Sequence, residues 1–328
     1  MFEFVTGGGL AGEALPPGLT READLMVRAL LDDLARISGL RCLVSRDPRL
    51  PALAGVETLA AQAGEDVFSA FSRGVAASDA VWPTAPETGG VLERLGRLTL
   101  HGGRVLLGSH PDAVRLTTSK RATAAVLAAA GIGVVPTFGA GDVLPVIPGS
   151  WVIKPDDGAG AEDTTVVADS RAARAALETR GAGFIAQPWV AGETLSLSLL
   201  CAAGAARLLS CNRQRVRVTD GRVALAGIGV NAAAPRAAEY RPLADRIAAA
   251  IPLLWGYVGV DLVAGADGPV VLEVNPRLTT SYCGLGGALG VNPARAVVEL
   301  AATARLPELP SPEQGTAVEL VLETADAR

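Results

Sequence analysis

The order of apolar and polar positions divides the chain into a region of alternating strand and helix patterns and a region dominated by strands. In the first part, short apolar runs at Met1–Thr6, Arg41–Ser45, Ala80–Trp82 and Arg104–Leu107 read as strands. The first ends in Gly7-Gly8-Gly9. A helix is predicted from about Thr20, whose hydroxyl suits an N-cap. There Ala23, Met26, Val27, Leu30, Leu31 and Leu34 recur on one face. A second helix is predicted over Glu87–Leu100. Strands alternating with helices in this way predict a small open α/β layer with a largely parallel sheet.

Two helices are expected next, near Asp112–Leu116 and Ser119–Ala130. The uncharged stretch Ala122–Gly141 is long enough to span a bilayer, but Gly131, Gly133 and Pro136 interrupt it. A helix ending near Gly131 and a buried strand Val134–Thr137 fit better, so no membrane span is expected. Strands at Trp151–Lys154, Thr164–Ala168 and Gly183–Gln187 with a helix Ser170–Thr179 make a compact unit. Strands follow at Thr194–Cys201, Ala206–Ser210 and Arg222–Val230, then a helix Ala237–Leu254. A hairpin of Tyr257–Val263 and Pro269–Val274 comes after them, and a last helix near Pro293–Ala302. The glycine-rich stretch Gly284–Gly290 reads as a loop entering that helix. These elements give three expected units: an N-terminal α/β domain over 1–111, a central lid subdomain over 112–190 and a C-terminal subdomain over 191–328.

Composition narrows the function. A chain of 328 residues suits two or three domains at roughly 100–200 residues each. Hydrophobic residues make up 49% and aromatics 4%, so Ala, Val and Leu must build the core. A net charge of −5, without a basic stripe, gives no attraction to nucleic acid. Cys42, Cys201, Cys211 and Cys283 form no CxxC pair, and His101 and His110 are the two histidines. That set argues against a zinc site and for reduced thiols in a cytoplasmic protein. The opening MFEFVTGGG has no basic segment followed by a long apolar run, so it is not read as a signal peptide.

The densest chemistry lies in GVDLVAGADGPVVLEVNPR. Asp267-Gly268 is expected to form the turn, which sets Asp261 opposite Glu273. Strand alternation points Glu273 and Asn275 to one face. Two carboxylates interrupting apolar strands would repel each other and suffer desolvation, and a divalent cation relieves both costs. Oxygen-only ligation suits Mg²⁺ shared with substrate phosphates. The bland alternative is a solvated hairpin with ordinary surface acids.

A second element is Lys154 with PDDGAGAEDT. Gly158 and Gly160 let backbone amides approach a phosphate. Asp156, Asp157, Glu162 and Asp163 would repel phosphate through their side chains, so the backbone is expected to do the cradling. The loop is neither a Walker loop nor a Rossmann fingerprint, and an ordinary mobile hairpin tip is the alternative. The third element is Gln187-Pro188-Trp189-Val190 followed by Glu193. A strand end there can pair with an adenine edge and the carboxylate can accept from a ribose, although an exposed turn explains the same residues.

In this order, Lys120, Lys154 with its loop, QPWV with Glu193, and Asp261 with Glu273-Val-Asn275 resemble the ATP-grasp superfamily over about residues 112–290. The resemblance implies ATP held between two α+β subdomains. It implies Lys120 and Lys154 on the phosphates; Gln187, Trp189 and Val190 on the adenine; and Glu193 on the ribose. Asp261, Glu273 and Asn275 would hold two Mg²⁺, with Mn²⁺ as a substitute. An acidic residue usual at the head of the adenine hinge is Gln187 here; its amide oxygen can still face the adenine amino group.

The stretches FEFVTGGGL, SRDPRL, APETGGVLE, LLGSHPDAVRLTTSKRAT, CNRQRV and EVNPRLTTSY resemble the tyramine–glutamate ligases of methanofuran biosynthesis and the related ligases of methylofuran biosynthesis. They imply ATP-dependent formation of a γ-glutamyl amide from L-glutamate and tyrosine or tyramine. Arg277, just past the metal strand, is the candidate for gripping the transferring phosphate, because a guanidinium fork matches phosphate geometry. Arg213 and Arg215 are candidates for a substrate carboxylate, with surface salt bridges as the alternative. Thr279, Thr280 and Ser281 are candidate hydroxyl donors or a turn. Gly8, Gly9 and Glu87 are implied as a far wall of the acceptor site. Asp157 is a candidate general base. Small molecules are the expected partners, a homodimer the candidate assembly. Two rival readings are a ligase of this superfamily with another substrate pair and a non-catalytic nucleotide sensor.

Overall fold

The computed structural model describes residues 1–60, 65–158, 160 and 163–322. The N-terminal layer contains β1 (Phe2–Glu3), α1 (Pro17–Ala35), β2 (Leu43–Arg46), β3 (Glu57–Ala60), α2 (Val67–Ala76), β4 (Ala80–Val81), β5 (Pro83–Thr84), α3 (Val91–His101) and β6 (Val105–Leu106). Its strands form three parallel pairs, β1 with β5, β2 with β3 and β4 with β6. α1 starts earlier than its Thr20 suggests. Pro17 opens it at a position where a missing N–H costs nothing, and the Thr20 amide already donates to Pro16 O at 2.9 Å. Ala23, Val27, Leu30 and Leu34 are buried as the periodicity requires.

The middle of the chain contributes α4 (Pro111–Thr118), α5 (Lys120–Ala129), β7 (Phe138–Gly139), β8 (Trp151–Pro155), β9 (Thr165–Val167), α6 (Ser170–Arg180) and β10 (Phe184–Pro188). Where a strand is expected at Val134–Thr137, Val134 makes an isolated bridge to Val271 instead. α4 and α5 bury their apolar side chains away from β8–β10. Ala113, Leu127 and Ile132 enter the core of the C-terminal sheet, whereas Leu144, Trp151, Ile153, Ala173, Leu177 and Ala186 form a separate small core between β8, β10 and α6.

The C-terminal part holds β11 (Glu193–Ala202), β12 (Ala205–Thr219), β13 (Arg222–Val230), α7 (Ala237–Ala250), β14 (Gly256–Gly265), β15 (Gly268–Asn275), α8 (Tyr282–Leu289), α9 (Pro293–Thr303) and β16 (Val318–Val321). β12 runs well past the expected Ala206–Ser210, because both its neighbours continue to pair with it. The sheet order is β15-β14-β11-β12-β13-β9-β8-β10-β7, with β16 on β13. β7–β10 join this sheet, among the described residues, through the pairing of Arg222 with Thr165.

The stretch Gly284–Gly290 is the clearest departure from the sequence reading. It lies in α8 and the helix's glycine C-cap rather than in a loop. Glycine weakens a helix, but a Cβ at Gly284 would lie 2.8 Å from Val230 Cγ2, so the small residue lets α8 lie against β13. Burial of Tyr282, Leu285, Ala288 and Leu289 offsets the poor propensity.

Alternation along β11 and β14 creates two faces. Leu195, Leu197, Leu199, Val258, Val260 and Leu262 pack beneath Tyr240, Leu243, Ala244 and Ile247 of α7. The opposite face is apolar at one end, where Leu200 and Tyr257 meet α1, α8 and α9. At its other end it carries Ser196, Asn212, Gln214 and Asp261, and these polar side chains form the floor of the candidate site.

Candidate active site

The β14–β15 hairpin turns through residues 266 and 267, with Gly265 opposite Gly268, whose φ of 108° favours glycine. This turn sits one residue earlier than the expected Asp267-Gly268, and continued regularly it would place Leu272 against Asp261. A β-bulge between Asp261 and Leu262 inserts the extra residue, so Asp261 faces Glu273 and Gly259 faces Asn275.

Asn275 Nδ2 donates to Asp261 Oδ2 at 3.0 Å, and Gln214 Nε2 donates to Asp261 Oδ1 at 2.8 Å. Lys120 Nζ lies 3.4 Å from Glu273 Oε2. Burial, followed by the charge of Glu273, pushes the Asp261 carboxyl up. Burial opposes ionisation of Glu273 too, but Lys120 and Lys154 hold its carboxyl well below the ordinary value. Lys154 comes from β8; burial lowers its ammonium, as does Lys120, while Glu273 counters.

Among the described residues no three or more His, Cys, Asp or Glu side chains gather as a metal cluster. The candidate donors are therefore two carboxylates and the free amide oxygen of Asn275. Two acids in mutual repulsion, with oxygen donors only, fit a hard cation such as Mg²⁺.

Lys120 opens α5. Its ammonium donates to Asp156 O at 3.3 Å and to Gly158 O, so it holds the glycine loop from below. The Asp156 side chain accepts from Ser119 Oγ at 2.6 Å and from the Arg121 amide at 2.9 Å. It therefore faces the N-terminus of α5. Asp157 turns toward the N-terminal layer, where its Oδ2 accepts from Gly89 N at 3.2 Å and its carbonyl from Thr88 Oγ1 at 3.1 Å. Gly158 approaches Pro155 closely, since a Cβ there would lie 2.9 Å from Pro155 Cβ. Gly160 has φ of 67°. Glu162 lies outside the described residues.

Gln187 is buried at the end of β10, and its amide nitrogen donates to Thr137 Oγ1 at 2.9 Å. That leaves its amide oxygen as the free polar atom. Trp189 is 41% exposed, but its backbone N–H donates to Ser150 O at 2.8 Å, so that amide is not the free donor expected at the strand end. Val190 lies near Gly265. Glu193 is bound by Arg213 Nε at 2.6 Å and Arg236 Nη1 at 3.1 Å. Arg236 escaped the sequence reading.

Arg213 and Arg215 alternate with Gln214 and so point to the other face from Asp261. Arg215 pairs with Glu319 and donates to Leu320 O at 3.1 Å, which ties β12 to β16. Neither arginine joins the Asp261 group as a candidate holder of substrate, and strand parity is the reason.

Arg277 does stand beside the group, although it is not free. Its guanidinium makes a two-pronged pair with Glu87, at 3.0 and 2.9 Å, across the join between the first and last parts of the chain. The Arg277 charge also reaches Glu3, whose carboxylate accepts from the amides of Val5 and Thr6 at 3.1 and 2.7 Å. That capping shapes the turn before Gly8 and Gly9. Gly8 has φ of 98°, and a Cβ on Gly9 would lie 2.5 Å from Phe4 O. Thr279 and Ser281 are donors turned inward, sharing hydrogen bonds of 2.9–3.0 Å with Tyr257 OH. Thr280 Oγ1 donates to Glu22 of α1.

Comparison with known proteins agrees with this geometry. The ATP-grasp domain family matches residues 117–281, and the pre-ATP-grasp domain family matches residues 40–114. The chain therefore belongs to the ATP-grasp family and is an ATP-dependent ligase. A relative from Xanthomonas axonopodis pv. citri (strain 306), named a probable alpha-L-glutamate ligase, is 31% identical over 228 residues, covering 63% of this chain and 76% of the relative. A putative ATP-grasp superfamily protein from Archaeoglobus fulgidus superposes with a TM-score of 0.69 at 24% identity, covering 91% of this chain and 86% of that one. The biotin carboxylase domain of Hydrogenobacter thermophilus 2-oxoglutarate carboxylase, solved with MgADP, superposes with a TM-score of 0.69 at 15% identity, over 88% and 70% of the two chains. These two structures share the fold. Among the described residues no helix is long and apolar enough to cross a membrane.

Proposed function

We propose that the protein joins L-glutamate to tyrosine or tyramine through a γ-glutamyl amide, using ATP and releasing ADP and phosphate. The observation that carries the nucleotide half of this reading is the gathering of Asp261, Glu273 and Asn275 on one sheet face with Lys120 Nζ 3.4 Å from Glu273. The resemblance of the stretches in the N-terminal layer and around Arg277 supports the substrate half. So does the glutamate in the name of the Xanthomonas relative.

In this reading a γ-carboxylate oxygen of glutamate attacks the γ-phosphorus of ATP, and the bond from that phosphorus to the bridging oxygen of ADP breaks. The acceptor amine then attacks the acyl carbon of the acylphosphate, loses a proton and expels inorganic phosphate. Phosphoryl transfer asks the protein mainly for positioning and charge neutralisation. Lys120 and Lys154 supply positive charge beneath the glycine loop, and the backbone at Gly158 and Gly160 lies against the phosphates. Asp261, Glu273 and Asn275 would hold Mg²⁺, which when bound neutralises phosphate charge. Arg277, kept in place by Glu87, faces the transferring group. Trp189, Val190 and the amide oxygen of Gln187 line the adenine, and Glu193 meets the ribose. The N-terminal layer over 1–111 supplies the acceptor wall at Gly8, Gly9 and Glu87, while β7–β10 act as the lid.

The glutamate in the relative's name fits a second reading equally: glutamate as the amine rather than the activated acid. Incubating the full chain with ATP, Mg²⁺, L-glutamate and a panel of amines, with ADP and product mass as readouts, separates them. The proposal expects ADP release that needs both glutamate and tyrosine or tyramine, and a product carrying a γ-amide. An α-linked product, or ADP release with a different acid, supports the second reading. Absence of amine-dependent ADP release overturns both and leaves a nucleotide sensor.

A further inference from the structure

Gln214 holds a position that the ligand trio alone does not account for. It lies on β12, and the acid it touches lies on β14, with β11 between them. Its side chain crosses the intervening strand beside Ser196, which is itself paired with Asp261, and donates to Asp261 Oδ1 at 2.8 Å. Its own backbone is pinned from β11, where Thr194 Oγ1 donates to Gln214 O at 2.8 Å. Asn275 Nδ2 donates to the other oxygen, Asp261 Oδ2, at 3.0 Å. Each oxygen of one part-buried carboxylate thus accepts one side-chain amide N–H. Ordering a long, flexible glutamine across a strand costs conformational entropy, and here it fixes the carboxylate plane.

We infer that Gln214 is a positioning residue for the divalent cation: it sets the orientation of Asp261, so that one lone pair on each oxygen stays available to the metal. The inference rests on the metal assignment made above. Partners that orient a metal-ligating carboxylate are worth about 10–100-fold in metal affinity. Gln214 meets Asp261 through its amide N–H, so it acts on the metal through that residue.

The test replaces Gln214 with methionine, which keeps the length and removes both donors. Gln214→Ala is the second variant should the first fail to fold. Mn²⁺ binding to the full-length protein in the presence of ADP is followed by electron paramagnetic resonance, next to metal-free ADP affinity and thermal midpoint. The expected result is a dissociation constant for Mn²⁺ raised about 10–100-fold. The thermal midpoint and metal-free ADP affinity stay unchanged, and saturating Mg²⁺ restores turnover. Unchanged Mn²⁺ affinity in the variant overturns the inference, and so does an equal loss of metal-free ADP affinity, which would make Gln214 a nucleotide contact. Glu273→Gln, measured alongside, separates the two levels. If it weakens Mn²⁺ binding while the Gln214 variant does not, only the role of Gln214 fails. If neither changes it, the metal assignment fails as well.

Discussion

Asp261 stands opposite Glu273 because a β-bulge inserts Leu272 into the β14–β15 ladder. The two acids lie part-buried side by side; burial and the charge of Glu273 disfavour the ionised form of Asp261, while Lys120 and Lys154 stabilise the charge on Glu273.

Glu273→Gln should therefore lower ADP release by about 100-fold or more, on the scale of losing one electrostatic contact to a transition state. The fold should survive, because the change also relieves repulsion on Asp261. Steady-state ADP release and a thermal melt check both halves. Wild-type turnover in this variant contradicts the metal assignment.

Lys154→Ala should weaken ATP binding by about 10-fold or more, the worth of a charge-assisted contact. Lys120→Ala should do the same and also loosen the glycine loop, since the Lys120 ammonium bonds Asp156 O and Gly158 O. Nucleotide titration of both variants, with hydrogen exchange over residues 155–158, distinguishes the two lysines.

Glu87 is buried and Arg277 nearly so, with 8% and 14% of their side chains exposed. Removing one strands the other's charge, so Glu87→Ala should cost about 3–5 kcal/mol of stability. Replacing both with Met should cost less than the sum of the single changes. Denaturant unfolding of the two single variants and the double variant measures the coupling. Arg277→Lys, which loses the fork, should keep the fold but not the turnover.

The buried thiols give a pH dependence with a defined sign. Burial pushes Cys201, Cys211 and Cys283 from near 9 up to about 12. Groups whose pKa is raised by folding stabilise fully below the unfolded value and lose that contribution as the pH climbs through the folded one. Stability should thus fall between pH 9 and 12. At pH 8 iodoacetamide should modify the buried Cys201 and Cys211 only after unfolding, which mass spectrometry of native and denatured samples tests.

Sequence alone made the face of the hairpin legible, because Asp261, Glu273 and Asn275 break apolar strands and alternation has only two outcomes. It set Asp261 opposite Glu273 from a turn placed one residue late, and the bulge made up the difference. Bulges leave no periodic signal. Gln214 and Arg236 were hidden for another reason: Gln214 reaches Asp261 two strands away and Arg236, just before α7, reaches Glu193 on β11, and such long-range contacts leave no local signal. The parity that would have separated Gln214 from Arg213 and Arg215 was present in CNRQRV, but it becomes useful only once β12 is known to run through it. α8 was misread because glycines argue locally against a helix that tertiary packing then favours.

The single pairing between Arg222 and Thr165 carries a mechanical consequence. Within a sheet that is otherwise zipped along whole strands, it is a perforation. Among the described residues two backbone hydrogen bonds close that seam, Val166 N to Gly221 O at 2.7 Å and Val223 N to Thr164 O at 3.2 Å, so a rotation of the small core around Trp151 about it would cost the sheet little more than those two bonds.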